Sequence, residues 1–354
     1  MTRRVLMIGA GYFARFHLAS WQAAGAQVVG LCDLDAARAA ALANEFGIPL
    51  ASTGSDAAAL IDALAPDLVD VVLPPAAQAP VVRLSLRCGL PTVCQKPFGI
   101  DLADAQAMAA AASASGVPLV VHENFRFTPW FREARRLIDA GALGRVHSLS
   151  FRLRPGDGQG PRAYLDRQPY FQRMPQLLVR ETAVHFIDSF RYLCGEVRAV
   201  TARLRRLNPV IAGEDAGILL LEFDDQRTGL FDGNRLNDHV AADPRRTMGE
   251  MWLEGGSGVL RLDGDARLWW KPHHGDEQPH PYATGEGAFG GAVTALQAHV
   301  LAHLDHGAPL ENSAADYLAN LRVQAAVYHS NNTGMRVCMA SFDPHALPSK
   351  ETST

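Results

Sequence analysis

The chain has 354 residues, 48% hydrophobic and 20% charged, a globular composition long enough for two domains of ordinary size. A net charge of -4 and a pI near 6.3 exclude the basic footprint that nucleic acid or an anionic membrane surface would need, and leave small molecules as partners. The five cysteines, Cys32, Cys88, Cys94, Cys194 and Cys338, contain no C-x-x-C pair, which argues against a zinc ribbon and a disulfide framework and for a reducing cytoplasm.

The N-terminal apolar run, Val5 to Ala10, is too short for a signal-peptide core, and no later run reaches membrane-spanning length, so a soluble, unsecreted protein is expected. Residues 3 to 122 alternate short β-like runs with helical stretches: RRVLMIGAG, FARFHLASWQAAG, AQVVGLCD, an alanine-rich segment to Phe46, DLVDVVLPP, a helix over about 79–88, PTVCQKP, a helix over about 102–115, and VPLVVHEN. Near-continuous apolar strands separated by helices predict a doubly wound parallel sheet covered on both faces. After Asn124 a helix is expected over 130–140, then HSLSFRLRP, an irregular Gly/Pro/Gln-rich stretch over 156–175, and a helix over 178–194. The closely spaced runs RAVTARLRR, AGILLLEF, RTGLFDGN, GEMWLEGG, SGVLRLD and ARLWW predict an α+β second domain on an open, mainly antiparallel sheet. A last helix is expected over 313–330. The domains are therefore placed at 1–122 and 123–345, with 346–354 as a disordered tail.

Gly9-Ala10-Gly11-Tyr12-Phe13-Ala14 follows the first strand and opens the first helix. In G-x-G-x-x-A, the first two glycines let the backbone turn tightly and approach a pyrophosphate, while the helix N-terminus offers N–H groups to it. Asp33 ends the second strand at the fingerprint's distance, suited to accept both ribose hydroxyls and to repel a 2′-phosphate. Asp35 adds negative charge and no basic residue directly follows Asp33, so NAD is expected over NADP. Arg38 is the one residue that could oppose this.

Glu181, His185 and Asp188 lie at i, i+4 and i+7 in an apolar helical stretch and so share a face. Three titratable groups on such a stripe are costly to bury unless they pair or meet a ligand. Asp188 reads as a structural partner and His185 as a functional group. A histidine with two carboxylates also suits a divalent cation, but no second histidine lies within a turn, and no metal is expected.

With these motifs in place, the chain resembles the Gfo/Idh/MocA family, the glucose-fructose oxidoreductase and inositol dehydrogenase group, over nearly its whole length. GAGYFA and the Cys32-Asp33 pair resemble the family's cofactor turn and second-strand end, QKP its E-K-P motif, and ETAVHFID its D-x-G-x-H-x-x-D motif. Phe125-Arg126-Phe127, GALGRV, EDAGILLLEF and the segment from Tyr328 to Gly334 add to the match. The resemblance implies that Pro74, Pro75, Gln78, Gln95 and Lys96 line the cofactor, that Lys96 lies between nicotinamide and substrate, and that His185 is the general acid/base, with Glu181 beside it. It also implies a homodimer or homotetramer. Gln95, Glu181, Ala183 and Gln78 depart from the residues usual in the family, where glutamate, aspartate, glycine and histidine stand.

The expected activity is NAD-dependent oxidation of a sugar or polyol hydroxyl. RLRPGDGQGPRAYLDRQPYF and RRLNPVIAGEDAG resemble the subgroup that contains D-apiose dehydrogenase, which implies an aldose oxidised at C1 to its lactone. An inositol or other polyol would use the same residues. Arg126, Arg154, Gln159 and Tyr164 are the candidates for the substrate pocket. A protein that binds NAD without catalysis is the reading from a different class, motivated by the altered Q-K-P and E-x-A-x-H motifs and opposed by the retention of both Lys96 and His185.

Overall fold

A computed structural model describes residues 2–53, 57–285 and 291–345. The chain divides into two compact units, Met1–Phe127 with Gly291–Ala319, and Thr128–Gly290 with Asn320–Thr354.

In the first unit, strands β1 (Arg4–Ile8), β2 (Gln27–Asp33), β3 (Ala51–Thr53), β4 (Leu68–Val71), β5 (Thr92–Gln95) and β6 (Leu119–His122) form one sheet in the order β3-β2-β1-β4-β5-β6. Every pairing in it is parallel. β4, β5 and β6 are buried at every position, as a sheet covered on both faces requires. The covering helices are α1 (Ala14–Ala23), α2 (Ala36–Phe46), α3 (Ala57–Leu64), α4 (Pro75–Arg87) and α5 (Leu102–Ser115). The Asp35 and Asp101 side chains cap α2 and α5, and left-handed Gly47 and Gly116 end them. Three residues of β3 are too few to carry a periodic signal, and neither β3 nor α3 was expected.

The two units do not follow the expected division at residue 122 into consecutive segments. Residues 291–319 group with the first unit, because the helix α8, Ala292–His306, packs on α1. Thr294 donates to Ser20 there, at 3.0 Å, and Arg3 donates to Asp305 at 2.7 Å. No helix was expected at 292–306. The expected tail, 346–354, lies outside the described residues.

The second unit holds α6 (Pro129–Asp139), β7 (Val146–Leu153), α7 (Val184–Cys194), β8 (Ala199–Arg205), β9 (Ala216–Glu222), β10 (Thr228–Asn234), β11 (Gly249–Gly255), β12 (Gly258–Leu262), β13 (Leu268–Pro272), β14 (Gln278–His280) and β15 (Val337–Cys338). The nine strands run in the order β14-β13-β12-β11-β7-β10-β9-β8-β15. β7 pairs with β10 in parallel and the other described pairings are antiparallel. Along β9 and β10, buried Leu219, Leu221 and Phe231 alternate with exposed Ile218, Leu220 and Leu230, so one face packs and the other stays open. A final helix, α9 (Ala314–Thr333), begins in the first unit and ends in the second. Among the described residues, no helix is long and apolar enough to cross a membrane.

Candidate active site

The turn after β1 has a steric reason for its glycines. Gly9 sits at φ +111, and a Cβ there would meet the Val72 carbonyl oxygen at 2.2 Å, so β1 can run beside β4 only with glycine at its end. Gly11 differs: a Cβ on it would meet nothing within 4 Å and would fill open space at the start of α1. That space and the helix N-terminus fit the pyrophosphate of a dinucleotide. Tyr12 is exposed, Phe13 half-buried, and Ala14 fully buried where the helix meets the sheet.

Asp33 stands at the end of β2, its carboxylate accepting from the Ala10 and Asp35 amides at 2.6 and 2.8 Å. Those bonds aim it across the turn and leave acceptor capacity for ribose hydroxyls. Arg38, the residue that could draw a 2′-phosphate, pairs with Asp35 at 3.2 Å on the exposed start of α2. Pro74 caps α4 and Pro75 begins it, at the carboxyl end of β4.

Lys96 follows β5 and is half-buried, at the carboxyl edge of the sheet where open α/β folds bind ligands. The turn it begins is clamped from behind by Gln78. The Gln78 amide nitrogen lies within 3.1 Å of the Leu73, Gln95 and Pro97 carbonyls, and its oxygen accepts from Gly99 N–H at 2.9 Å. Gln78 has no exposed surface. This corrects the expectation of a cofactor contact: the side chain is consumed by four backbone partners and shapes the Lys96 turn. Gln95 is also buried, with its oxygen accepting from Lys96 N–H at 2.7 Å and its nitrogen 3.1 Å from His17 Nε2.

In the second unit the expected helix over 178–194 begins as a π-helix, Leu178–Ala183, and becomes α-helical only from Val184. The wider coil changes the angular step at Glu181, so the simple i, i+4 relation to His185 does not carry across the junction; π-segments of this kind recur at functional sites. Glu181 and His185 are both buried, 7% and 6% exposed. Glu214 holds the start of the π-helix: its carbonyl accepts from Leu178 N–H at 2.9 Å and its carboxyl oxygen from Val179 N–H at 3.1 Å. Tyr328 donates to the same oxygen at 2.7 Å. Burial raises the Glu214 carboxyl above its ordinary value against these lowering hydrogen bonds. Asp188 is wholly buried and accepts from Asn320 at 2.7 Å, in keeping with a structural role.

The four candidates for the substrate pocket fall differently. Arg154 is buried and bound to Asp232 at 2.6 Å and to the Leu153 and Asp232 carbonyls. Tyr164 packs in a cluster with Ala163, Phe171, Leu177 and Ile211 and donates to Asp157. Both are engaged by partners within the second unit. Arg126, in the first unit, is buried near Glu311 and Asp316, each 3.7 Å away. Gln159 is exposed in the turn between Gly158 and Gly160.

Asp157 binds Arg235 at 2.6 Å and Arg167 at 2.9 Å, while Arg235 also donates to Tyr164 and Thr182. Burial pushes the Asp157 carboxyl up, but the two guanidinium groups outweigh it and hold it below the usual range. The irregular stretch is thus tied to β10's end and to the π-helix. Tyr170 was not anticipated: its ring is exposed, and its hydroxyl is pushed up to about 12 by partial desolvation and by the charge of Glu181. Nothing in the local sequence pairs residues 170 and 181.

The family model for an oxidoreductase family with an NAD-binding Rossmann fold matches residues 3–123, and the GFO/IDH/MocA C-terminal domain matches residues 131–255. A D-apiose dehydrogenase of Paraburkholderia graminis is 34% identical over 98% of this chain and 92% of that protein. A D-apiose dehydrogenase of Rhizobium rhizogenes is 28% identical over 94% of this chain and 96% of its own length. Among solved structures, an Agrobacterium radiobacter oxidoreductase in complex with NAD+, L-tartaric acid and magnesium is 27% identical and superposes with a TM-score of 0.86, covering 96% of this chain and 99% of that one.

Proposed function

The chain belongs to the Gfo/Idh/MocA oxidoreductase family, and on that premise we propose that it is an NAD-dependent sugar dehydrogenase whose leading substrate is an aldose of the D-apiose kind, oxidised at C1 to the lactone. The observation that carries the reading is Lys96, held at the carboxyl edge of an NAD-binding sheet by a turn whose backbone is fixed from two sides. Bound NAD supplies the hydride acceptor. His185 takes the hydroxyl proton as general base. Lys96 Nζ places positive charge where an alkoxide develops. Glu181 orients His185 or binds a neighbouring hydroxyl. The exposed Ile218, Leu220 and Leu230 on the open sheet face support association of copies into a homodimer or homotetramer.

The test is the initial rate of NADH formation over a panel of aldoses that includes D-apiose and an inositol, with NADP beside NAD. One sugar should dominate, and Lys96→Ala and His185→Ala should each lower kcat by roughly 100- to 10,000-fold. No turnover of any sugar, with firm NAD binding, would move the protein to the non-catalytic reading.

A further inference from the structure

His17, on α1, and Asp70, on β4, are both fully buried, and the Asp70 carboxylate lies 2.8 Å from His17 Nδ1 while accepting from Trp21 Nε1 at 2.6 Å. His17 Nε2 faces the Gln95 amide nitrogen, and the Gln95 oxygen faces the Lys96 backbone N–H. The chain therefore runs unbroken from the middle of the sheet to the residue proposed to meet substrate.

A single obligate donor orders the whole chain. The Lys96 N–H can only donate, so the Gln95 group facing it must be the oxygen, and the amide NH2 must face His17. An NH2 can only donate, so His17 Nε2 must be bare, and the proton of a neutral imidazole must sit on Nδ1, pointing at Asp70. Each position then matches its neighbour, with one negative charge at the buried end. A glutamate at 95, the residue usual in the family's motif, would accept from Lys96 N–H but would turn a carboxylate toward a bare nitrogen. The remedies would be a buried carboxyl kept protonated to donate to Nε2, or a protonated His17 between two buried carboxylates, with His122 stacked on it at 3.9 Å between centroids and 29° between planes.

We infer that Gln95 is a positioning residue for Lys96, acting through this Asp70–His17–Gln95 chain with its neutral imidazole, and is not a contact to the cofactor. The departure from glutamate at 95 is then matched by the bare Nε2 of His17. The use of the chain in turnover rests on the dehydrogenase reading; its proton order does not.

Nitrogen-15 NMR of histidine-labelled protein, with the His17 signal assigned by its loss in His17→Asn, reads the chain directly. At pH 7 the parent should show His17 as the neutral Nδ1–H tautomer. A neutral Nε2–H tautomer, or a doubly protonated ring, would overturn the inference. With an active sugar in hand, Gln95→Glu should lower kcat roughly 10- to 100-fold, the scale of a displaced reacting group, with KM for NAD within about twofold. Parental kcat in that variant, or a loss confined to KM for NAD, would overturn it as well. If no sugar is turned over while the tautomer is as expected, the failure belongs to the dehydrogenase reading, and the chain stands on the spectrum.

Discussion

Each unit braces its candidate chemistry with a buried polar network, and the two networks work differently. In the first, Asp70, His17 and Gln95 form a line in which every bond has one permitted direction, ending on the backbone of Lys96. In the second, Asp157 and the guanidinium groups of Arg235 and Arg167 form an ionic knot that ties an irregular stretch to the π-helix through Thr182. A directional line is broken by an isosteric change that keeps shape and alters donor order. An ionic knot is broken by unbalancing charge, whatever the shape.

The largest effect should come from the knot. Asp157→Leu leaves Arg235, 3% exposed, without its charged partner, and should cost about 4 kcal/mol of stability, measured by urea unfolding. A companion Asp157→Leu/Arg235→Met variant should recover much of that loss, because the buried charge leaves with its partner; equal instability of the two would mean that packing rather than charge governs this region.

A smaller loss is expected from the line. Asp70→Asn can keep an oxygen for both donors, Trp21 and His17, which share one Asp70 oxygen, but it removes the charge that strengthens both bonds and buries an NH2 at the other oxygen's place, and should cost about 2 kcal/mol. A change under about 0.5 kcal/mol in the same unfolding experiment would show that the bonds to Asp70 add little.

The smallest effect concerns Glu214, and it separates this carboxylate from Asp157, in the same unit, by sign. Asp157 is held low, so its contribution is present above the ordinary carboxylate range and is lost as pH falls through its folded-state value. Glu214 is raised, chiefly by burial, so its contribution is full below the ordinary range and is lost as pH rises through its folded-state value. Glu214→Gln keeps an acceptor for Val179 and Tyr328 and removes the titration. Its melting temperature should lie within a few degrees of the parent at acid pH and fall less than the parent's between roughly pH 4 and 7. Parallel profiles for the two proteins would remove Glu214 as a source of pH dependence.

Legibility from sequence differed in the same way between the regions. The cofactor turn could be read because its requirements are local: Gly9 and Gly11 answer to φ and to close approach, and Asp33 to the end of one strand. Gln78 was misassigned because four backbone partners, scattered from Leu73 to Gly99, consume its amide, and a motif position does not reveal that. Arg154 and Tyr164 were placed toward substrate on the strength of their segment, and their partners at 232 and 157 could not be read from it. The π-helix carries the same residues as an α-helix would, and its first N–H groups are held by Glu214, 35 positions on from Val179.

By itself, the sequence determined the alternation of strand and helix in the first 122 residues apart from β3 and α3, the glycine turn, the acidic end of β2 and the mainly antiparallel second sheet, because each follows from periodicity or backbone sterics over a few residues. The tertiary structure decided that 292–306 returns to the first unit, that Gln95 meets His17 across 78 positions, and that Asp157 meets Arg235 across another 78. Those choices depend on which buried donors and acceptors the folded chain brings within hydrogen-bonding distance, and no local pattern carries that information.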